Sequence, residues 1–274
     1  MNNNFSVIMS VYAGDKAEYL DTALKSIQQN TLPPAEIVLV VDGPVGDSIK
    51  AVIKKYESQG PDSFRAIWLE KNQGHGNARR VAMENARYEL VAVMDSDDIC
   101  VPERFALQMD YMEKHPQISV LGGNIAEFID IVDNIVGKRV VPTDNESIYI
   151  WLKGRCPFNH MSVLLKKTDI LEAGGYLDWH YDEDYYLWIR LAEKGFKFAN
   201  LSEVLVKVRV GEEMYQRRGG WCYFVSEYKL QKYMLIKKII GLPRFTWNVL
   251  IRFFLQVVFP NKLRGFIFQK FARS

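Results

Sequence analysis

The sequence predicts an α/β protein: a mostly parallel central sheet flanked by helices, followed by a C-terminal helical appendage. Three observations predict it. From residue 5 to residue 98, short apolar runs alternate with stretches of helical periodicity. The short runs are apolar at nearly every position, as strands buried on both faces are. Beyond residue 221 the strand signals stop, and aromatic and basic residues dominate.

The elements follow in order. Residues 5–12 read as a buried strand. Residues 19–30 carry Leu20, Ala23, Leu24 and Ile27 at helical spacing and stop before Pro33 and Pro34. A second strand over 36–43 ends in Asp42 and Gly43. Residues 47–56 are helical, 64–69 a third strand, and 78–86 helical again. The fourth strand, 89–94, runs straight into Asp95-Ser96-Asp97-Asp98. The rhythm then changes. Residues 102–115 form a helix with Pro102 near its start. Two strands are expected at 118–121 and 126–131, and a short one at 162–165. Residues 182–194 are helical, with Gly195 as the candidate C-cap.

Composition narrows the function classes. The 274 residues are 48% hydrophobic and 25% charged, an ordinary globular balance with a full core. A formal net charge of +2 gives no case for nucleic acid. Cys100, Cys156 and Cys222 are odd in number and widely spaced, so neither a disulfide framework nor a zinc site is indicated. A reducing cytoplasm fits them. The N-terminus does not read as a signal peptide, and no apolar run approaches the roughly 20 residues of a membrane span. Charge is uneven, however. Residues 229–274 hold ten Lys or Arg and no Asp or Glu, interleaved with aromatic residues. Such helices lie in membrane interfaces beside anionic lipid, which predicts peripheral attachment; packing on the main domain or in a dimer interface is the alternative.

The chemistry lies in acids at strand ends. In an open parallel sheet, ligands sit beyond the C-terminal ends of the strands. Asp42 follows the second strand; Asp95, Asp97 and Asp98 follow the fourth. Three carboxylates in four residues repel one another unless a cation joins them. Hard divalent ions prefer oxygen ligands and bridge diphosphates, so Mg²⁺ or Mn²⁺ is expected there. A second acidic group, Asp182-Glu183-Asp184, opens a helix, where the macrodipole alone favours acids. Asp184 precedes an aromatic, apolar helix that would hold it firmly, and a carboxylate so placed serves as general base.

At this point the residues resemble those of bacterial family 2 glycosyltransferases of the GT-A fold, the kind that build O-antigen and exopolysaccharide repeat units. The matching stretches are Ser6 to Tyr12, Ile37 to Gly43, Asn72-Gln73-Gly74-His75-Gly76, Met94 to Asp98 with Pro102-Glu103-Arg104-Phe105, Asn159-His160-Met161-Ser162-Val163, Gly174-Gly175-Tyr176, and Glu183 to Leu191. The resemblance implies a catalytic domain over residues 1–220, with a nucleotide-binding half at 1–98 and an acceptor-binding half at 99–220. Residues 221–274 are then the appendage. It implies inverting transfer from a nucleotide sugar, UDP-sugar favoured, to a glycan acceptor on a polyprenyl diphosphate at the inner face of the cytoplasmic membrane. Ser10, Val11 and Tyr12 would border the base and Asp42 would bond its edge. Gly74 and Gly76 would let the backbone approach the nucleotide. Asp95 would lie near the ribose or donor sugar, Asp97 would bind the metal, and Asp184 would be the base. Arg104, His160 and Glu183 fall near donor or acceptor.

Departures from the family pattern fall at Val93, Arg80 and Met161, and bear on donor-sugar and phosphate contacts. Arg217 and Arg218, before Gly219-Gly220, are candidates for a lid over the diphosphate; an exposed turn is the alternative. His75, in a glycine-rich loop, reads equally as a phosphate contact or a solvated side chain. Three rival functions remain, one of them hydrolysis of the nucleotide sugar, in which water replaces the acceptor. A sugar nucleotidyltransferase would carry a Gly- and Arg-rich loop followed by Lys, where this chain has Tyr12-Ala13-Gly14-Asp15. A non-catalytic nucleotide-sugar-binding protein would have no need of Asp184.

Overall fold

A computed structural model of the chain describes residues 4–179, 181–211 and 219–259. One nine-stranded sheet runs through it. The strands are β1 (Ser6–Val11), β2 (Glu36–Val41), β3 (Phe64–Trp68), β4 (Leu90–Val93), β5 (Ile99–Cys100), β6 (Ile118–Phe128), β7 (Ile135–Arg139), β8 (Leu164–Lys166) and β9 (Lys197–Arg209). Their order is β3-β2-β1-β4-β8-β6-β9-β5, with β7 paired to β6. The pairs β1–β2, β1–β4, β2–β3 and β6–β9 are parallel; β8 lies antiparallel between β4 and β6.

The helices are α1 (Ala17–Gln28), α2 (Asp47–Gln59), α3 (His75–Asn85), α4 (Arg104–Lys114), α5 (Asn145–Leu152), α6 (Lys167–Glu172), α7 (Glu183–Glu193), α8 (Trp221–Ile236) and α9 (Leu242–Phe253). They cover both faces of the sheet, and the strand period of two sorts side chains between two cores. Val7, Met9 and Val11 of β1 join Leu20, Leu24 and Ile27 of α1, Ile49 and Ile53 of α2, and Phe105 of α4. Ile8 faces the other way, with Ala78 and Ala82 of α3, Leu187 and Trp188 of α7, and Leu230 and Met234 of α8.

The second half of the sheet departs from the expected pattern. The two strands expected at 118–121 and 126–131 are one strand, β6, buried at all eleven positions. Gly122-Gly123 reads as a break but marks close approach instead. A Cβ on Gly122 would collide with the Asn200 side chain and meet the Phe158 ring at 3.0 Å; one on Gly123 would lie 2.5 Å from Leu205 Cδ1. β9, absent from the sequence reading, pairs along β6 with register slips around Asn124.

The C-terminal helices are built into the second core. Asn248 of α9 donates to the Lys153 carbonyl and to Gln231 of α8, both at 2.8 Å. Arg252 pairs with Glu227 of α8 at 2.5 Å and donates to the Gly154 carbonyl at 2.8 Å. Among the described residues, no helix is long and apolar enough to cross a membrane.

Because β6 has no room for a side chain at Gly122 or Gly123, Gly122→Val and Gly123→Val should each destabilise the fold by roughly 1–3 kcal/mol. A lowered urea midpoint with unchanged slope is the expected result.

Candidate active site

The strand order reverses between β1 and β4, and the crevice at that point is where such sheets hold ligands. β1 delivers Tyr12 to its edge and β4 delivers Asp95. Beside them lies a cavity of about 240 Å³ lined by Ser10, Val11, Tyr12, Asp42, Asn72, Gly74 and His75. The Asp42 carboxylate accepts the backbone N–H groups of Gln73 at 2.7 Å and Gly74 at 3.0 Å. It thereby pins the loop that enters α3. Gly74 sits at φ +86°, which a residue with a Cβ rarely adopts. The helix begins at His75, three residues before its expected start, so His75 belongs to its first turn. Its ring stands 6.0 Å from that of Tyr12, edge-on.

The turn after β4 divides its carboxylates by task. Asp15 Oδ2 accepts the Tyr12 N–H at 3.1 Å and the Ser96 hydroxyl at 3.0 Å, tying the two strand-end loops together. Asp98 points inward and accepts the Arg209 N–H on β9 at 3.0 Å. Burial, then Asp97 and Asp95, push its pKa well above the carboxylate range. Asp97 reaches solvent at the mouth of the crevice. The protein crowded around its carboxyl, with Asp95 and Asp15 adding repulsion, pushes its pKa up to about 6. Excess negative charge on oxygen donors at the rim suits a hard divalent cation. No cluster of three or more metal-binding side chains is preformed among the described residues. The protein alone supplies one or two carboxylates here, the usual number for an ion shared with a phosphate ligand.

The strongest link across the site comes from Arg79, which the sequence reading passed over. Its guanidinium spans two carboxylates: Asp95 Oδ1 at 3.0 Å and Glu183 Oε1 at 3.1 Å. Gly76, Arg79 and Met83 share the inward face of α3 by their spacing. Asp95 ends β4 and Glu183 opens α7, so Arg79 fastens the acidic turn to the second acidic group. Asp184 stands beside this bridge. Burial raises its pKa to about 6, with Glu183 adding to the rise and Arg79 opposing it.

Several expected site residues do other work. Arg104 is enclosed and touches no cleft. It donates to Gln108 at 3.0 Å and to the Val93 and Val163 carbonyls at 2.9 and 3.3 Å, bracing the end of β4 from beneath. His160 is buried and bonds the Tyr176 hydroxyl at 2.8 Å. Burial, then Arg79 and His75, hold it neutral, so it supports the wall and carries no charge to a ligand. Gly76 is buried against Glu183 and the Leu177 carbonyl, its added Cβ falling 3.3 and 3.4 Å from them. Its missing side chain lets α3 approach α7, whereas Gly74 faces the cavity. Asp182 sits at the N-cap position of α7 without a side-chain bond to the helix, and its carboxylate accepts the Ser226 hydroxyl of α8 at 2.9 Å. Arg217 and Arg218 lie outside the described residues.

The glycosyl transferase family 2 model matches residues 6–173 of this chain. The chain belongs to glycosyltransferase family 2. It is 40% identical over 268 residues to an amylovoran biosynthesis glycosyltransferase, AmsE, of Erwinia amylovora, covering 97% of this chain and 98% of that one. It is 35% identical over 270 residues to a UDP-Gal:α-D-GlcNAc-diphosphoundecaprenol β-1,3-galactosyltransferase of Escherichia coli, covering 98% and 96%. The fold is that of S. aureus TarS in complex with UDP-GlcNAc, at a TM-score of 0.68 and 18% identity over 92% of this chain and 72% of that one. The family 2 membership agrees with the predicted fold and with glycosyl transfer as the reaction class.

Removing the Arg79 fork leaves Asp95 and Glu183 facing each other without a cation. Arg79→Met should cost roughly 2–4 kcal/mol, below a fully buried pair because Asp95 reaches water. Arg79→Lys keeps the charge but not the two-pronged geometry and should recover only part of the loss. Thermal unfolding of the three proteins checks this.

Proposed function

We propose that the cleft catalyses inverting transfer of a sugar from a nucleotide sugar, UDP-sugar favoured, to a glycan acceptor carried on a lipid diphosphate. Residues 1–98 hold the donor nucleotide and residues 99–220 the acceptor. The observation that carries this reading is the Arg79 bridge. It joins Asp95, at the start of the acidic turn, to Glu183 at the α7 N-terminus, which supports reading the turn's carboxylates and the neighbouring Asp184 as parts of one site. The name of the galactosyltransferase relative, with its UDP-Gal donor and diphosphoundecaprenol-linked acceptor, supports both substrate classes.

The residues divide the work as follows. Ser10, Val11 and Tyr12 border the base, and Asp42 presents a further lone pair on each oxygen to its edge. Asp95 lies beside the ribose or donor sugar. Asp97 is the protein ligand to Mg²⁺ or Mn²⁺, which when bound supplies Lewis-acid stabilisation of the leaving diphosphate. Asp184 takes the proton of the attacking acceptor hydroxyl as the new C–O bond forms, and the donor's bond to its diphosphate breaks on the opposite face.

Peripheral attachment at the inner face of the cytoplasmic membrane fits this acceptor. α9 packs by Asn248 and leaves Trp247, Leu250, Phe254 and Val258 exposed along one stripe. Ile236 and Leu242 extend it, with Lys238 and Arg244 exposed nearby. Such a surface binds anionic lipid through apolar burial and charge together.

The test is nucleoside diphosphate release from a panel of UDP-, GDP- and dTDP-sugars, with and without metal and a lipid-diphosphate sugar. Asp184→Asn should lower turnover about 10²–10⁴-fold. A chelator and Asp97→Ala should each abolish most of it. A base works only when deprotonated, so kcat/KM at saturating metal should fall as pH drops through about 6, the value to which burial raises Asp184. Release of pyrophosphate from UTP, or turnover unchanged in Asp184→Asn, would overturn the mechanism.

A further inference from the structure

A second cavity, of about 510 Å³, lies apart from the nucleotide crevice, between the loop before α7 and the first turns of α8. It falls within the roughly 300–1,000 Å³ typical of small-molecule sites. Asp178, Trp179, Trp221, Cys222, Ser226 and Lys229 line it. None of these residues carries a role in the reaction described above.

Its walls are fixed to α7, the helix that presents Asp184. Trp179 stacks on Tyr186 with ring centroids 4.2 Å apart, and its carbonyl accepts the Asp182 N–H at 3.2 Å. Ser226 donates to the Asp182 carboxylate at 2.9 Å. Tyr181, next to Asp182, is held at φ +74°, a left-handed conformation that a non-glycine residue rarely adopts. Its ring packs on Tyr223 of α8 at 5.4 Å. The loop is therefore clamped between α7 and α8.

The lining combines three chemistries. Trp179 and Trp221 offer flat apolar faces with a polar N–H each, suited to the C–H face of a pyranose. Asp178 is an exposed acceptor for hydroxyls. Lys229 is an exposed ammonium with no ion-pair partner among the described residues, a point charge suited to phosphate. Beneath the rim, packed rings link Trp221 to the apolar stripe: Trp221 to the buried Phe224 at 5.5 Å, Phe224 to the half-buried Phe253 at 5.6 Å, and Phe253 to the exposed Phe254 at 5.8 Å. Phe254, just beyond the end of α9, belongs to the exposed apolar stripe that runs on from that helix. Sugar-stacking surface, cation and hydrocarbon-compatible surface thus follow one another.

We propose that this cavity is the docking site for the diphosphate-bearing end of the acceptor. The sugar lies against Trp179 and Trp221, Lys229 pairs with its diphosphate, and the lipid leaves along the Phe253–Phe254 ridge. The inference rests on the transferase reading above and extends its acceptor side beyond residues 99–220 into the first turns of α8.

Occupancy is measured on the full chain without catalysis, by alkylation of Cys222, the exposed one of the three cysteines. The probes are glucosyl, galactosyl and N-acetylglucosaminyl diphosphates on a ten-carbon alkyl chain, the matching methyl glycosides, and UDP. At least one alkyl diphosphate sugar should slow Cys222 labelling, and UDP should not. Trp221→Ala and Lys229→Ala should weaken that probe's binding by about tenfold each and leave UDP affinity unchanged. Trp221→Phe should retain most of it. The Lys229→Ala effect should vanish for the methyl glycoside, which has no phosphate. If UDP binds but no alkyl diphosphate sugar protects Cys222, or if both variants bind the probe as wild type does, the docking site is overturned and the donor reading stands. If UDP fails to bind as well, the transferase reading falls and takes the docking site with it.

Discussion

The site depends on one guanidinium. Arg79 reaches across the floor of the cleft and holds Asp95 and Glu183 with its two prongs. Without it, the end of β4 and the start of α7 would present like charges to each other at short range. With it, two acidic groups that lie far apart in sequence become one site. The remaining architecture serves that juncture. Gly76 removes the side chain that would keep α3 from α7. Arg104 braces β4 from below through the Val93 carbonyl. Asp98 ties the acidic turn to β9. Asp182 ties the start of α7 to α8 through Ser226.

This arrangement explains how carboxylates so close together take different roles. Asp98 and Asp182 are buried and spend their oxygens on backbone or hydroxyl donors. Asp15 and Asp42 organise loops. Asp97 stays at the solvent boundary, where a cation and a diphosphate can reach it. Asp184, buried beside Glu183, is held near the pH range in which a carboxylate can both take and release a proton. Position, more than residue type, assigns the role. The C-terminal helices join this logic, because α8 supplies Ser226 to the α7 cap and one wall of the second cavity. They are part of the scaffold, with an apolar stripe left over.

Most of the first 98 residues was legible in the sequence. Four strands apolar on both faces, separated by amphipathic helices, leave little freedom in their arrangement, and acids at strand ends mark the ligand edge. The rest was less legible because its cues conflict. Gly122-Gly123 reads as a break, yet it lies inside an unbroken strand whose neighbours leave no room for side chains. β9 mixes exposed and buried positions irregularly, since its pairing slips against β6. Arg104 and His160 carry ligand-binding chemistry by type and were expected at the cleft; burial makes them supports. Arg79 escaped notice because an arginine in an arginine pair looks like a solvated helix face. Only its spacing from Gly76 and Met83 points inward, and its carboxylate partners are 16 and 104 residues away.

The central claim is a single displacement, with Asp184 on one face of the donor sugar and the diphosphate leaving from the other. The anomeric configuration of the product tests it most directly. Proton NMR of the product formed from an α-linked nucleotide sugar should show a β-linkage from the first turnover. An α-linked product would contradict the account, because a single displacement from the face opposite the leaving diphosphate inverts the anomeric centre.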